Sequence, residues 1–158
     1  MIHSAPTEDD FPRSFEIAFA GLQIVVVEAG GAWSEGPDMA PAPIAAALRF
    51  AAAEPESVKR LTGEALAHGA DGIARHERLI SYLSEGLAPG RRRRPEGEHL
   101  PAITEDAIAS GIVMLVAQRV DRGEGSSLPA AAPEVIQFML TPYLGVAEAR
   151  RAGAAHAP

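Results

Sequence analysis

Near the N-terminus apolar residues recur at steps of three and four, beginning at Ser14. Phe15, Ala18, Phe19, Leu22 and Val26 fall on one face of a helix that runs to about Glu28. The end of that stretch, QIVVVEAGG, has a competing reading as a β-branched strand entering the glycine loop of a nucleotide-binding fold. Gly30, Gly31 and Gly36 do not compose GxGxxG, however, and the chain offers almost no second strand to pair with, so a helix is expected. GGAWSEGPDMAPAP, from Gly30 to Pro43, is dense in glycine and proline and reads as a connection. Periodicity resumes at Ile44 and continues through Leu48 and Phe50 to Ala53. Glu54-Pro55 then starts a new helix, because proline suits a first helical turn while the residue before it avoids the α region. Its stripe is Val58, Leu61, Ala65 and His68, fading at Gly69. A further helix over about Asp71 to Glu85 carries Ile73, His76, Ile80 and Leu83, and PGRRRRPEGEHLP follows as a connection.

In the second half, Thr104 with Glu105 and Asp106 marks a helix start, a capping side chain followed by acids that suit the positive end of the helix dipole. The helix runs to about Arg122. Its centre, AIASGIVMLVA, is apolar on all sides, whereas a helix on the surface of a small domain needs only one apolar stripe. GEGSS breaks it, and another helix begins near Leu128, with Pro133 tolerable close to its start. Val135, Ile136, Phe138, Met139 and Leu140 spread around most of its circumference, and Pro142 is expected to end or kink it. The sum is an all-α bundle of six to seven helices: one domain over residues 14–152, between flexible tails at 1–13 and 153–158.

Composition narrows the functional classes. A chain of 158 residues can bury a real core, and its 47% hydrophobic and 22% charged residues suit a globular protein. Only 5% are aromatic, so Leu, Ile, Val and Ala must fill the interior. A net charge of -7 opposes general attraction to nucleic acid. Cysteine is absent, which removes disulfides and thiolate metal sites. The acidic N-terminus, MIHSAPTEDDFPR, is unlike a signal peptide, and no apolar run reaches membrane-spanning length, so a cytoplasmic location is expected, with no membrane partner.

Three stretches, FAAAEPESVKRLTGEAL, LPAITEDAIASGIVMLVAQRVDRGE and LPAAAPEVIQFMLTPYLGVAEA, resemble the C-terminal effector-binding and dimerisation domain of the TetR family of bacterial transcriptional repressors. The likeness covers about Ile44 to Arg151. It implies a helical domain that senses a small hydrophobic effector, and a homodimer in which the last two long helices pair with their copies as a four-helix bundle. TPYLG resembles the closing segment of such domains. The family's three-helix DNA-binding module has no counterpart here, since residues 1–43 are too short and too acidic to be it, and this chain alone is not expected to bind duplex DNA. A helical homodimer that binds another protein and holds no ligand is the alternative.

Area supports the pairing. A chain this size covers one face of each helix and leaves the other face of AIASGIVMLVA and EVIQFML exposed. The expected interface residues are Ile108, Ile112, Val113 and Val116 on the first helix and Val135, Ile136 and Met139 on the second. Ala109, Gly111 and Ala117 would let the helices approach, with Arg119 and Arg122 at the rim.

An apolar cavity is expected among the segments 44–53, 58–68, 73–87 and 104–120, with Thr62, His68, His76 and Gly111 leaving space or anchoring a ligand. Phe50, Leu61, Ile80, Tyr82 and Met114 are the candidate walls, with Trp33 as a further large group. His68 and His76 sit on apolar stripes where either could present a ring nitrogen to a ligand, and Glu64, one turn before His68, could orient it. Half-buried structural histidines are the plainer reading. Their spacing does not resemble HExxH, so no metal is expected. Arg91 to Arg94 could grip an anion, yet Glu96 and Glu98 follow, and a solvated, partly self-neutralised loop is the better reading. The chain carries no nucleophile elbow, P-loop or paired-carboxylate motif; neither catalysis nor a cofactor is expected.

Overall fold

The computed structural model describes residues 10–30 and 41–157, and among them there is no β-strand. In chain order the helices are α1 (Phe11–Gly30), α2 (Pro41–Ala53), α3 (Pro55–Leu61), α4 (Gly63–Ala67), α5 (Gly69–Leu87), α6 (Thr104–Asp121), α7 (Ala132–Leu144) and α8 (Val146–Ala154). α3 and α4 are one rod broken at Thr62, which gives seven rods among the described residues and the all-α bundle that the periodicity predicts. The strand reading of QIVVVEAGG fails, because its residues up to Gly30 close α1.

Helix α1 starts three residues inside the segment expected to be a tail. The cause is Phe11, which is buried, contacts Phe15 and stacks flat on His68 at 3.8 Å between ring centroids. The predicted stripe holds throughout, since Phe15, Ala18, Phe19, Leu22 and Val26 are all buried. Trp33 lies outside the described residues.

Two clusters of side chains form the interior. One is aromatic, built by α1 with Leu61, Ala65, Leu79 and Val113. The other is aliphatic and larger, joining α2, α6, α7 and α8 around Leu48, Leu128, Ile136, Met139, Leu140 and Tyr143. Ile80 and Leu83 of α5 pack against both.

The C-terminal end corrects two expectations. Pro142 does not end α7, which continues to Leu144. Proline removes one helical donor, and the carbonyl deprived of it belongs to Phe138, an exposed residue nearly two turns from the end of the helix. The stop comes at Gly145, whose φ of 78° is open to glycine and strained for other residues. The chain then reverses into α8, which packs back along α7. Residue 153, expected in a tail, is buried there: a β-carbon on Gly153 would lie 2.3 Å from the Pro133 carbonyl oxygen, so the two backbones are nearly in contact.

The arginine-rich connection is also built rather than loose. It winds into 3₁₀ turns at Ala88–Arg93 and Pro95–His99. Arg91 donates to both carboxylate oxygens of Glu105, from Nε at 2.8 Å and from Nη2 at 2.7 Å, and also to the carbonyls of Leu100 and Pro101. The buried Tyr143 hydroxyl donates to Glu105 Oε1 at 3.0 Å. Burial alone would raise the Glu105 carboxyl, but the hydrogen bonds from Arg91, its own backbone N–H and Tyr143 outweigh it and hold the group below its ordinary value. Burial and the Glu105 charge push the Tyr143 phenol well up, so it stays a donor. Arg94 pairs with Glu148 of α8. The reading of this run as a solvated loop therefore fails at Arg91, whose planar fork matches a carboxylate placed on the inner face of α6.

Candidate functional site

A cavity of about 70 Å³ lies at the seam between the two clusters. Leu22, Leu61, Leu79 and Val113 reach it from the aromatic cluster, and Ile44, Leu48, Ala51, Val58, Leu87 and Ala109 from the aliphatic one. Ala47 and Phe50 of α2, Leu83 of α5, and Ile112 and Val116 of α6 complete the wall. Thr62 is the one lining side chain with a polar atom, and its hydroxyl donates to the Val58 carbonyl at 2.8 Å. That bond commits the only proton Thr62 can offer. The wall is therefore almost wholly hydrocarbon, at the place where two separately packed cores meet.

The expected pocket segments supply most of this wall, but the individual residues divide. Phe50 and Leu61 line the cavity. Neither Ile80 nor Tyr82 is in its lining: both pack on the aromatic cluster, and Tyr82 meets Phe19 edge to face at 5.5 Å between centroids and lines a separate polar cleft between α1 and α5. Met114 is 62% exposed on the outer side of α6 and contributes nothing. His68 is exposed at the end of α4, where its ring covers Phe11 and Nδ1 donates to the Glu64 carbonyl at 2.6 Å. The Glu64 carboxylate turns instead to Arg60 at 2.9 Å, so the acid does not orient the ring through its side chain. His76 is half-buried and donates from Nδ1 to the Leu61 carbonyl at 3.2 Å, tying α5 to α3. Both histidines fit the structural reading, because a carbonyl can only accept and each ring nitrogen named here is spent on one. Leu48, Val58, Leu83, Ala109, Ile112 and Val113, absent from the pocket candidates, belong to the cavity; the signal was their place on the inward faces of the segments already expected to line it.

The residues expected at a subunit interface face the chain's own interior. Ile108, Val113, Val135, Ile136 and Met139 are buried within the single chain, and Ile112 and Val116 line the cavity. Ala109 is likewise inside. The reason is register: positions 105, 108, 109, 112, 113, 116 and 120 make one stripe, and the core takes it. The opposite stripe of α6, Ala107, Ser110, Gly111, Met114 and Gln118, is exposed. On α7 the outer side presents Phe138, 57% exposed, and Pro142. Gly111 has open space where a β-carbon would stand, so no contact among the described residues requires glycine at this helix interior. A second apolar stripe runs along α1, where Ile17 is 65% and Ile24 57% exposed, with Val27 beyond them.

A separate polar cleft lies between α1 and α5, with Glu16, Gln23, Arg78 and Glu85 in its wall. Arg78 there is engaged by Glu16 at 2.6 Å and lies 4.6 Å from the Phe19 ring centroid. Among the described residues no helix is long and apolar enough to cross a membrane. Comparison of the chain with protein-family models, curated proteins and solved structures gave no match.

Proposed function

We propose that this chain is the small-molecule-sensing and dimerisation domain of a TetR-like bacterial transcription regulator, with the seam cavity as effector site and the outer faces of α6 and α7 as the pairing surface. The observation that carries this reading is the two-sidedness of α6. Its inner face gives Ala109, Ile112, Val113 and Val116 to the cavity, and its outer face shows solvent Met114 beside the open Gly111. A glycine inside a helix costs about 1 kcal/mol relative to alanine and here relieves no contact among the described residues. Close approach by a second backbone gives it a use. A two-fold pair would set each α6 against its copy. An effector that swells the cavity would then press on the helix that holds the dimer, shifting population between two helix arrangements.

The α1 stripe is the observation that favours the plainer alternative, a helical module that binds another protein and no ligand. Sedimentation velocity of the full chain at tens of micromolar tests the pairing. Wild type is expected to run as a dimer, and Met114→Asp and Phe138→Asp as folded monomers. A monomeric wild type, or two aspartate variants that stay dimeric, overturns it.

A further inference from the structure

We propose that the seam cavity selects an uncharged, hydrocarbon-like molecule of about three heavy atoms, and excludes carboxylates and other ionised amphiphiles; this rests on the sensing reading above. Size gives the first constraint. At about 70 Å³ the space is near half of the ~150 Å³ apolar cavity that accepts benzene, so a ligand that leaves the packing intact is smaller than a six-membered aromatic ring.

Chemistry gives the second. No charged side chain lines the cavity, and the one hydroxyl, Thr62, has given its proton to Val58. An anionic headgroup drawn inside would find no donor, and an unpaired ion in such surroundings is strongly disfavoured. Arg91 is engaged by Glu105, Arg75 and Arg78 by Glu16, Arg60 by Glu64 and Arg119 by Ser127, while Arg49 of α2 is exposed and outside the lining. A hydrocarbon meets none of these obstacles, and packing against Leu48, Leu83, Ile112 and Val116 is what the wall offers. Discrimination in this site is therefore by size and by absence of charge, without a directed hydrogen bond.

The test uses the full chain labelled at Ile, Leu and Val methyl groups, titrated separately with cyclopropane, with dissolved xenon and with sodium octanoate. Cyclopropane and xenon are expected to shift the methyl signals of Ile112, Val113 and Leu83 saturably, leaving Leu128 unmoved, while octanoate at the same concentration shifts none of them. Two filling variants, Ala109→Leu and Ala47→Leu, each checked for native circular dichroism, should weaken cyclopropane binding at least tenfold; either one suffices if the other does not fold. If octanoate moves the cavity methyls, alone or together with cyclopropane, the proposed selectivity is wrong and sensing at this cavity stands. If no probe moves them, or if cyclopropane binds both filled variants unchanged, this cavity is not a ligand site and the sensing reading falls as well.

Discussion

At Gly153 the backbones of α7 and α8 come so close that an added methyl group would lie 2.3 Å from the Pro133 carbonyl oxygen. At Ala47 and Ala109, in two walls of the seam, equally small side chains leave about 70 Å³ unfilled. Small residues close one region and keep the other open. The difference lies in what faces them: backbone faces Gly153, so the missing side chain is replaced by peptide atoms. In the seam side chains from α1, α2, α3, α5 and α6 face them, and a space remains among those side chains. The cavity is thus a local property of the junction between two cores rather than looseness of the whole bundle.

The largest effect expected from breaking this pattern is at Ile136, fully buried on the inner face of α7. Ile136→Asp should remove about 4 kcal/mol or more, through an unpaired buried charge, and abolish the near-ultraviolet circular dichroism of the fold. Met114→Asp and Phe138→Asp, on the outer faces, should keep that spectrum. Loss of the spectrum in all three variants would erase the distinction between inner and outer stripes.

Next in size is Arg91→Ala, which strands Glu105 with its side chain only 9% exposed. The midpoint of urea unfolding should fall. The pH dependence has a fixed sign. Because the folded carboxyl lies below its ordinary 4.5, its contribution is fully present above that value and is lost as pH falls through the lower folded value. Wild type should therefore lose more stability on going from about pH 6 to about pH 3 than Glu105→Gln does. An equal loss would show that the network adds nothing at neutral pH.

Much of the fold was legible, and the errors share one cause. The stripe of α1, the proline start of α3 and the length of α6 all follow from spacing, because helical period is a local property. Which side of an all-round apolar helix faces inward is not local. Ile108, Ile112, Val113 and Val116 share one stripe with Glu105, and that stripe was assigned to a subunit interface because AIASGIVMLVA is apolar on all sides. Arg91, read as solvated because Glu96 and Glu98 follow its run, reaches Glu105 of α6 through a connection whose two 3₁₀ turns leave no periodic trace. His68 and His76 had the right stripe but not the right depth: His68 covers Phe11 at the surface, and His76 stops at the Leu61 carbonyl. The roles of Phe11 and Gly153 were hidden because each acts through a partner distant in sequence, His68 and Pro133.

The tight region has its own smaller test. Gly153→Ala should cost about 1 to 3 kcal/mol by forcing α8 away from Pro133, read as a lowered melting temperature with helix content largely retained. No cost would mean that the hairpin yields easily.

The open region provides the measurement that bears most directly on the account, the melting temperature of Ala109→Leu. Leucine adds three carbons to a wall facing about 70 Å³ of space. Burial gains of ~0.8 kcal/mol per carbon, less some strain, leave a net stabilisation of about 1 kcal/mol. The melting temperature should rise by about 2 to 4 °C. A fall comparable to that of Gly153→Ala would contradict it, because the seam would then be as full as the hairpin and would have no room for an effector.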